Sequence, residues 1–242
     1  MANPKEHYDN LLAPYYSWIS GELELKLEGN RKIFRDLNVR PEHSEIAVDL
    51  GAGSGFQSIP LAEVGFKVIA IDMNHALLAE LEENAKELSI ITIQDDLLNF
   101  TKHSPAKIGV IVCMGDTLTH LNSLEEVQNL FAKAYDTLDE NALLILGFRD
   151  LTLELTELAR FIPVRSNSKR IFSCFLEYEE SHVKVNDIVY EKTNDRWQMR
   201  KSFYRKLRIS PPWTKTTLIE AGFKIETFDV QKEMVTIVAR KP

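Results

Sequence analysis

Residues 45–72 read EIAVDLGAGSGFQSIPLAEVGFKVIAID, and this stretch restricts the fold more than any other in the 242-residue chain. The apolar run Ile46–Leu50 is too short for a helix and leads into glycine, so it predicts a buried strand. Glycines follow at 51, 53 and 55. A helical segment over 57–64 stops at Gly65, and a second apolar run, Phe66–Ile71, ends on Asp72. Strand, glycine turn, helix, strand and terminal acid in so short a span have the spacing of a mononucleotide-binding βαβ unit.

Each part has a chemical reason. Glycine lacks a Cβ, so the turn can take positive φ and let a ligand lie against the backbone. The N–H groups that open the next helix point into the same space. Asp72, at the carboxyl end of the second strand, can accept two hydrogen bonds from the vicinal hydroxyls of a ribose. The competing explanation is a tight turn that happens to be rich in glycine. The flanking strand, helix and acid favour a nucleoside site. Its pattern is G-x-G-x-G, not the dinucleotide G-x-G-x-x-G, and Asp49 precedes it. A carboxylate there would repel a diphosphate and suits a cation, an ammonium or a sulfonium.

Composition narrows the class. With 44% apolar residues the chain can bury a full core as one large domain with a modest appendage. A net charge of −7 argues against a nucleic-acid substrate. No apolar run approaches the roughly 20 residues that span a bilayer. MANPKEHYDN has no signal-peptide character, and Cys113 and Cys174 suggest neither a disulfide framework nor a zinc site. The expectation is a cytoplasmic protein, monomer or homodimer, with no metal, acting on a small molecule and not on nucleic acid or membrane.

Along the chain, Tyr8, Tyr15, Tyr16 and Trp18 cluster in a helical pattern that Pro14 interrupts, followed by a helix over Leu23–Leu37. This segment could dock its aromatics on the core or form a lid over a ligand; aromatic faces suit a cation. After Asp72, His75–Ser89 is helical, Ile90–Ile93 a short strand, and Asp95-Asp96 follows. Ile108–Met114 is a strand whose carboxyl end aims Cys113, Met114, Asp116, Thr117 and His120 at the ligand side of an open sheet. His120 has the ordinary pKa of a base near neutrality, and equally suits a structural role. Ser123–Leu138 is a helix opened by a capping box, Ser123 and Glu126. Asn141–Phe148 is a strand ending in Arg149, which could fix a carboxylate or pair with a surface acid. Three alternating segments, Ile171–Glu179, Val183–Lys192 and Trp197–Ile209, predict a small antiparallel sheet. Arg165, Arg170, Tyr178, Tyr204 and Arg205 are its candidates for touching a substrate. A helix over Trp213–Ala221 and a hairpin, Phe223–Phe228 and Met234–Ala239, close the chain.

VDLGAGSG, Val48–Gly55, resembles the first motif of the class I S-adenosylmethionine-dependent methyltransferases of small-molecule type. The likeness continues through the acidic positions to the final helix, its "AGF" turn and the reversed last strand. It implies a Rossmann-like α/β fold, a mostly parallel seven-stranded sheet with an antiparallel last strand, plus a small antiparallel insertion. The corresponding division is a helical lid over 1–40, the main domain over 41–160 and 208–242, and an acceptor cover over 161–207.

It also implies S-adenosylmethionine as cofactor, held by Asp49, Gly51, Ala52, Gly53, Gly55, Asp72 and Met73. Asp96 with the N–H of Leu97 would meet the adenine, Asp95 being its competitor. Cys113, Met114, Gly115 and Asp116 would complete the cofactor site. His120 and Tyr16 are the candidate catalytic side chains. Tyr8, Tyr16, Trp18, His120, Arg149, Tyr178 and Tyr204 would touch the acceptor. The expected activity is methyl transfer to nitrogen or oxygen of a small molecule. A non-catalytic S-adenosylmethionine-binding protein or, less well, a nicotinamide-dependent oxidoreductase are the rival readings.

Overall fold

The computed structural model describes residues 4–104 and 107–242. Its strands in chain order are β1 (Ile46–Leu50), β2 (Lys67–Asp72), β3 (Ile90–Gln94), β4 (Ile108–Cys113) and β5 (Leu138–Arg149), then β6 (Phe161–Ser166), β7 (Arg170–Tyr178), β8 (His182–Thr193) and β9 (Arg196–Leu207), and last β10 (Lys224–Gln231) and β11 (Met234–Arg240). Helices are α1 (Pro4–His7), α2 (Ala13–Ser20), α3 (Leu23–Asp36), α4 (Ser58–Glu63), α5 (His75–Asn84), α6 (Leu124–Thr137) and α7 (Pro211–Glu220).

The main sheet has seven strands in the order β10-β11-β5-β4-β1-β2-β3. The β1–β2, β1–β4, β2–β3 and β4–β5 pairs are parallel, and β11 runs against both β5 and β10. Chain order reverses between β1 and β4, the place where an open α/β sheet leaves a crevice at its carboxyl edge. Strand alternation divides the core. Val48, Leu50, Ile69 and Ile71 pack with Phe131 and Leu218 from α6 and α7; Ala47, Val68 and Ala70 pack with Phe34, Leu61 and Leu78 from α3, α4 and α5. Each of these valine, leucine, isoleucine and phenylalanine side chains, fully buried, stabilises the fold by about 1.5–3 kcal/mol. Ser123 caps α6 as its sequence predicts, its Oγ accepting the Glu126 N–H at 3.3 Å. Asn74, preceding α5, accepts the Leu77 N–H at 3.0 Å.

The second sheet, β6-β7-β8-β9, is antiparallel throughout and has one strand more than the alternation predicts. The extra strand, Phe161–Ser166, contains Pro163, which pushes a segment to a sheet edge, and it is an edge strand here.

The N-terminal segment departs from expectation. Pro14 does not interrupt the helix: a π-helical turn over Tyr8–Leu12 joins α1 to α2. A proline cannot donate to the carbonyl four residues earlier, and Arg200 of β9 donates to that carbonyl, Asn10 O, at 2.8 Å. Leu11, Leu12 and Tyr15 pack with Phe172 and Val189 of the second sheet in a small core of their own.

Gly109 lies in β4, where an added Cβ would collide with the Ser44 carbonyl and press the Phe66 ring at 3.2 Å. Backbone cannot give way as a side-chain tip can, so Gly109→Ala should destabilise by about 1–3 kcal/mol. A lowered urea midpoint at unchanged slope checks this, and an unchanged midpoint would contradict it.

Candidate active site

The glycine turn is fixed from behind. Gly51 and Ala52 N–H both donate to the Ile71 carbonyl, at 2.8 and 3.0 Å. The Asp72 carboxylate accepts the Gly53 N–H at 2.9 Å with one oxygen and the Asn74 N–H at 2.8 Å with the other. Gly51 has φ +77°, and a Cβ there would run into the Thr117 side chain; Gly53, at φ +52°, faces the Tyr16 ring. Backbone is thereby presented bare to the crevice between the ends of β1 and β4. Gly51, Ala52, Gly53, Asp72, Met73 and Leu97 line it, with Met114 and Gly115 beyond them. Burial raises the Asp72 pKa, offset in part by its backbone hydrogen bonds.

The turn, the acid at its centre and the apolar flank of Met73, Leu77 and Leu97 fit an adenosyl group. The roof is the N-terminal segment: Tyr8 and Tyr16 reach over the crevice.

A second cavity of about 470 Å³ lies beneath the β6–β9 sheet, lined in part by Asp116, Arg149, Tyr178, Tyr204 and Lys206. Tyr8, Tyr16, Gly115 and His120 line both cavities and so stand at their junction. The His120 ring lies edge-on to Tyr8, 5.8 Å between centroids, and tilted to Tyr204 at 5.5 Å. Its Nδ1 is buried without a hydrogen-bond partner. Burial, with the Lys206 charge adding to it, lowers its pKa to about 3, so the imidazole is neutral at physiological pH. Burial raises Tyr16 to about 12 and Tyr8 and Tyr204 well above the usual phenol, so all three keep their protons.

Several predicted site residues lie elsewhere. Asp49 does not reach the crevice. Alternation turns it to the α4 face of β1, where it is 1% exposed and accepts the Ser58 Oγ–H at 2.6 Å. Gly55 packs against Leu81 of α5 and the Cys113 thiol is wholly buried, its pKa pushed up by that burial. Asp95, not Asp96, is at the crevice wall, though its oxygens already accept from His103 (2.7 Å) and Asn99 (2.9 Å). Asp96 caps the following turn through the Leu98 N–H at 2.9 Å.

Asp116 belongs to the second cavity. Burial alone would raise its pKa, but the Lys206 ammonium at 2.8 Å and nearby Arg149 outweigh that and hold it at about 2. Trp18 lines neither cavity; it packs among the lid residues beneath Arg165 and Arg170. Arg205 faces outward to Glu179 at 2.8 Å, while Tyr204 and Lys206, on the other face of β9, point inward. Sequence reasoning passed over Lys206 and Asp187. The two-residue period of their strands, counted from Tyr204 and Val185, places both on the cavity face. Among the described residues no group of three or more His, Cys, Asp or Glu could hold a metal ion, and no helix is long and apolar enough to cross a membrane.

Burial pushes the Asp49 pKa from 3.8 to about 7, and its Oδ1 has no partner. The folded state thus holds a proton that the unfolded chain releases, and this group's contribution to stability falls as pH rises from about 4 to about 7, by up to ~1.4 kcal/mol per unit. Asp49→Asn should therefore gain stability relative to wild type across that window, measured by urea unfolding at several pH values. A constant difference between the two proteins would contradict the assignment.

Comparison with known proteins accords with this geometry. A family model described as "Methyltransferase domain" matches residues 47–141. The chain is 34% identical over 112 residues to a glycine/sarcosine N-methyltransferase of Aphanothece halophytica, covering 46% of this chain but only 42% of that protein. A protein of Geobacillus sp. (strain WCH70), named as a methyltransferase, is 26% identical over 234 residues, 90% of this chain and 86% of its own. In fold, the chain matches the crystal structure of an S-adenosylmethionine-dependent methyltransferase from Clostridium acetobutylicum ATCC 824 with TM-score 0.73. That match covers 97% of this chain and 96% of the other at 14% identity. Residues 47–141 thus match a methyltransferase domain, the whole chain shares the fold of S-adenosylmethionine-dependent methyltransferases, and the stretch aligned to the glycine/sarcosine N-methyltransferase spans less than half of that relative's length.

Proposed function

We propose that this chain transfers the methyl group of S-adenosylmethionine to a nitrogen atom of a small molecule seated beneath the β6–β9 sheet. The observation that carries the reading is the junction: Tyr8, Tyr16, Gly115 and His120 border both the nucleoside crevice and the larger cavity. A donor in one and an acceptor in the other would meet there. When bound, the cofactor would supply an activated methyl carbon to the acceptor's lone pair, the carbon–sulfur pair returning to sulfur, and the methylated nitrogen would release its extra proton to solvent as the product leaves.

The protein's own tasks are to align and to dry the site. Asp72 takes the ribose hydroxyls, Met73, Leu77 and Leu97 flank the adenine, and the Leu97 N–H with Asp95 faces its edge. The glycine turn receives the methionyl part. Tyr8 and Tyr16 cover the junction against water. His120 is too weakly basic at a pKa of about 3 to take a proton from a hydroxyl. Its unpartnered Nδ1 suits a different task, accepting an N–H of an amine and thereby aiming the lone pair. Nitrogen is favoured over oxygen on that ground, and the glycine/sarcosine N-methyltransferase relative supports the same choice.

Incubation with methyl-labelled S-adenosylmethionine and a set of primary amines should give labelled product. Binding without transfer to any amine or alcohol would favour a non-catalytic binding protein. Asp72→Ala should weaken S-adenosylmethionine about a hundredfold, two charge-assisted hydrogen bonds at ~1.5 kcal/mol each, with the circular dichroism spectrum unchanged. Wild-type affinity in that variant would overturn the site assignment.

A further inference from the structure

We infer that the acceptor is an amine carrying a bulky apolar body and no carboxylate, a proposal that rests on the methyltransferase reading above. The cavity under the second sheet holds about 470 Å³, within the ~300–1,000 Å³ of sites that enclose drug-sized ligands, and glycine would leave most of it unfilled. Part of its wall is apolar and comes from several elements: Leu12 and Ile19 from the N-terminal segment, Leu151 and Leu155 from the segment after β5, Ile162 from β6 and Leu176 from β7. A hydrocarbon body would exchange water for matching surface.

Charge gives the second argument. The two basic chains that line the cavity are already engaged: Lys206 Nζ with Asp116 at 2.8 Å, and Arg149 Nη1 with Glu233 at 2.9 Å. A carboxylated acceptor would have to share these cations with the carboxylates already on them. Asp116, Asp150, Asp187 and Glu233 line the same space, four acids against two bases, so the lining carries a negative balance that disfavours a further carboxylate.

The third argument is orientation. At the junction the Tyr8, Tyr204 and His120 rings stand within 5.5 to 6.5 Å of one another, and the His120 Nδ1 lacks a partner. An amine head can rest against this aromatic rim of the cavity, with its apolar body running away under β6 and β7.

Calorimetric titration of the S-adenosylhomocysteine-saturated protein tests this. 2-Phenylethylamine should bind about tenfold or more tighter than glycine, sarcosine or phenylalanine. Leu155→Lys and Ile162→Lys place a charge on the cavity wall at partly exposed positions, away from the cofactor crevice. Each should weaken 2-phenylethylamine about tenfold while S-adenosylhomocysteine binds as in wild type, which also shows that the variant is folded. Phenylalanine or glycine binding as tightly as 2-phenylethylamine would overturn the inference, as would indifference to both substitutions. Failure of wild type to bind S-adenosylhomocysteine would overturn the cofactor reading and this inference with it.

Discussion

The two oxygens of Asp72 hold two backbone N–H groups, Gly53 in the turn after β1 and Asn74 in the turn after β2. Parallel pairing of β1 with β2 brings the strand ends side by side, and this carboxylate locks the turns that leave them. Asn74 passes the constraint on. Its side-chain oxygen caps α5, and its Nδ2 donates to Asp9 in the N-terminal segment at 2.8 Å. The cofactor crevice, the helix beside it and the lid over it are therefore joined through one buried asparagine and one acid.

The lid is tied at its other side to the antiparallel sheet. His7 and Asp187 form a buried pair at 2.9 Å, Tyr15 donates to Glu191 at 3.0 Å, and the apolar cluster around Leu11 and Phe172 fills the space between. The N-terminal segment and the antiparallel sheet thus make one cover, and both line the 470 Å³ cavity.

What the sequence disclosed was whatever depends on local pattern. The runs at Ile46–Leu50 and Ile108–Met114 give strands because continuous apolar residues suit a sheet covered on both faces, and Ile90–Ile93 gives a strand at the sheet edge, where Ile91 is 64% exposed. Asp72 stood at a strand end, and its place in the crevice follows from the spacing alone. Asp49 was misplaced because alternation was not carried through the strand: one residue before Leu50 is the opposite face, where α4 supplies Ser58. Asp116 and Lys206 are ninety residues apart, and only the folded chain brings them to 2.8 Å. The weak basicity of His120 has the same origin, because burial and a distant lysine set it. Pro14 misled for a different reason, since its cost was met by Arg200, far along the chain.

The central claim is that the glycine turn, the Asp72 clasp and the N-terminal lid form a single S-adenosylmethionine site. Hydrogen–deuterium exchange with and without S-adenosylhomocysteine tests it most directly. The account predicts slowed exchange together in 51–57, in 72–77 and in the lid over 8–20, with the opposite, amino-terminal edge of the sheet unchanged. Slowed exchange at that opposite edge, or protection of the turn with the lid unaffected, would contradict it.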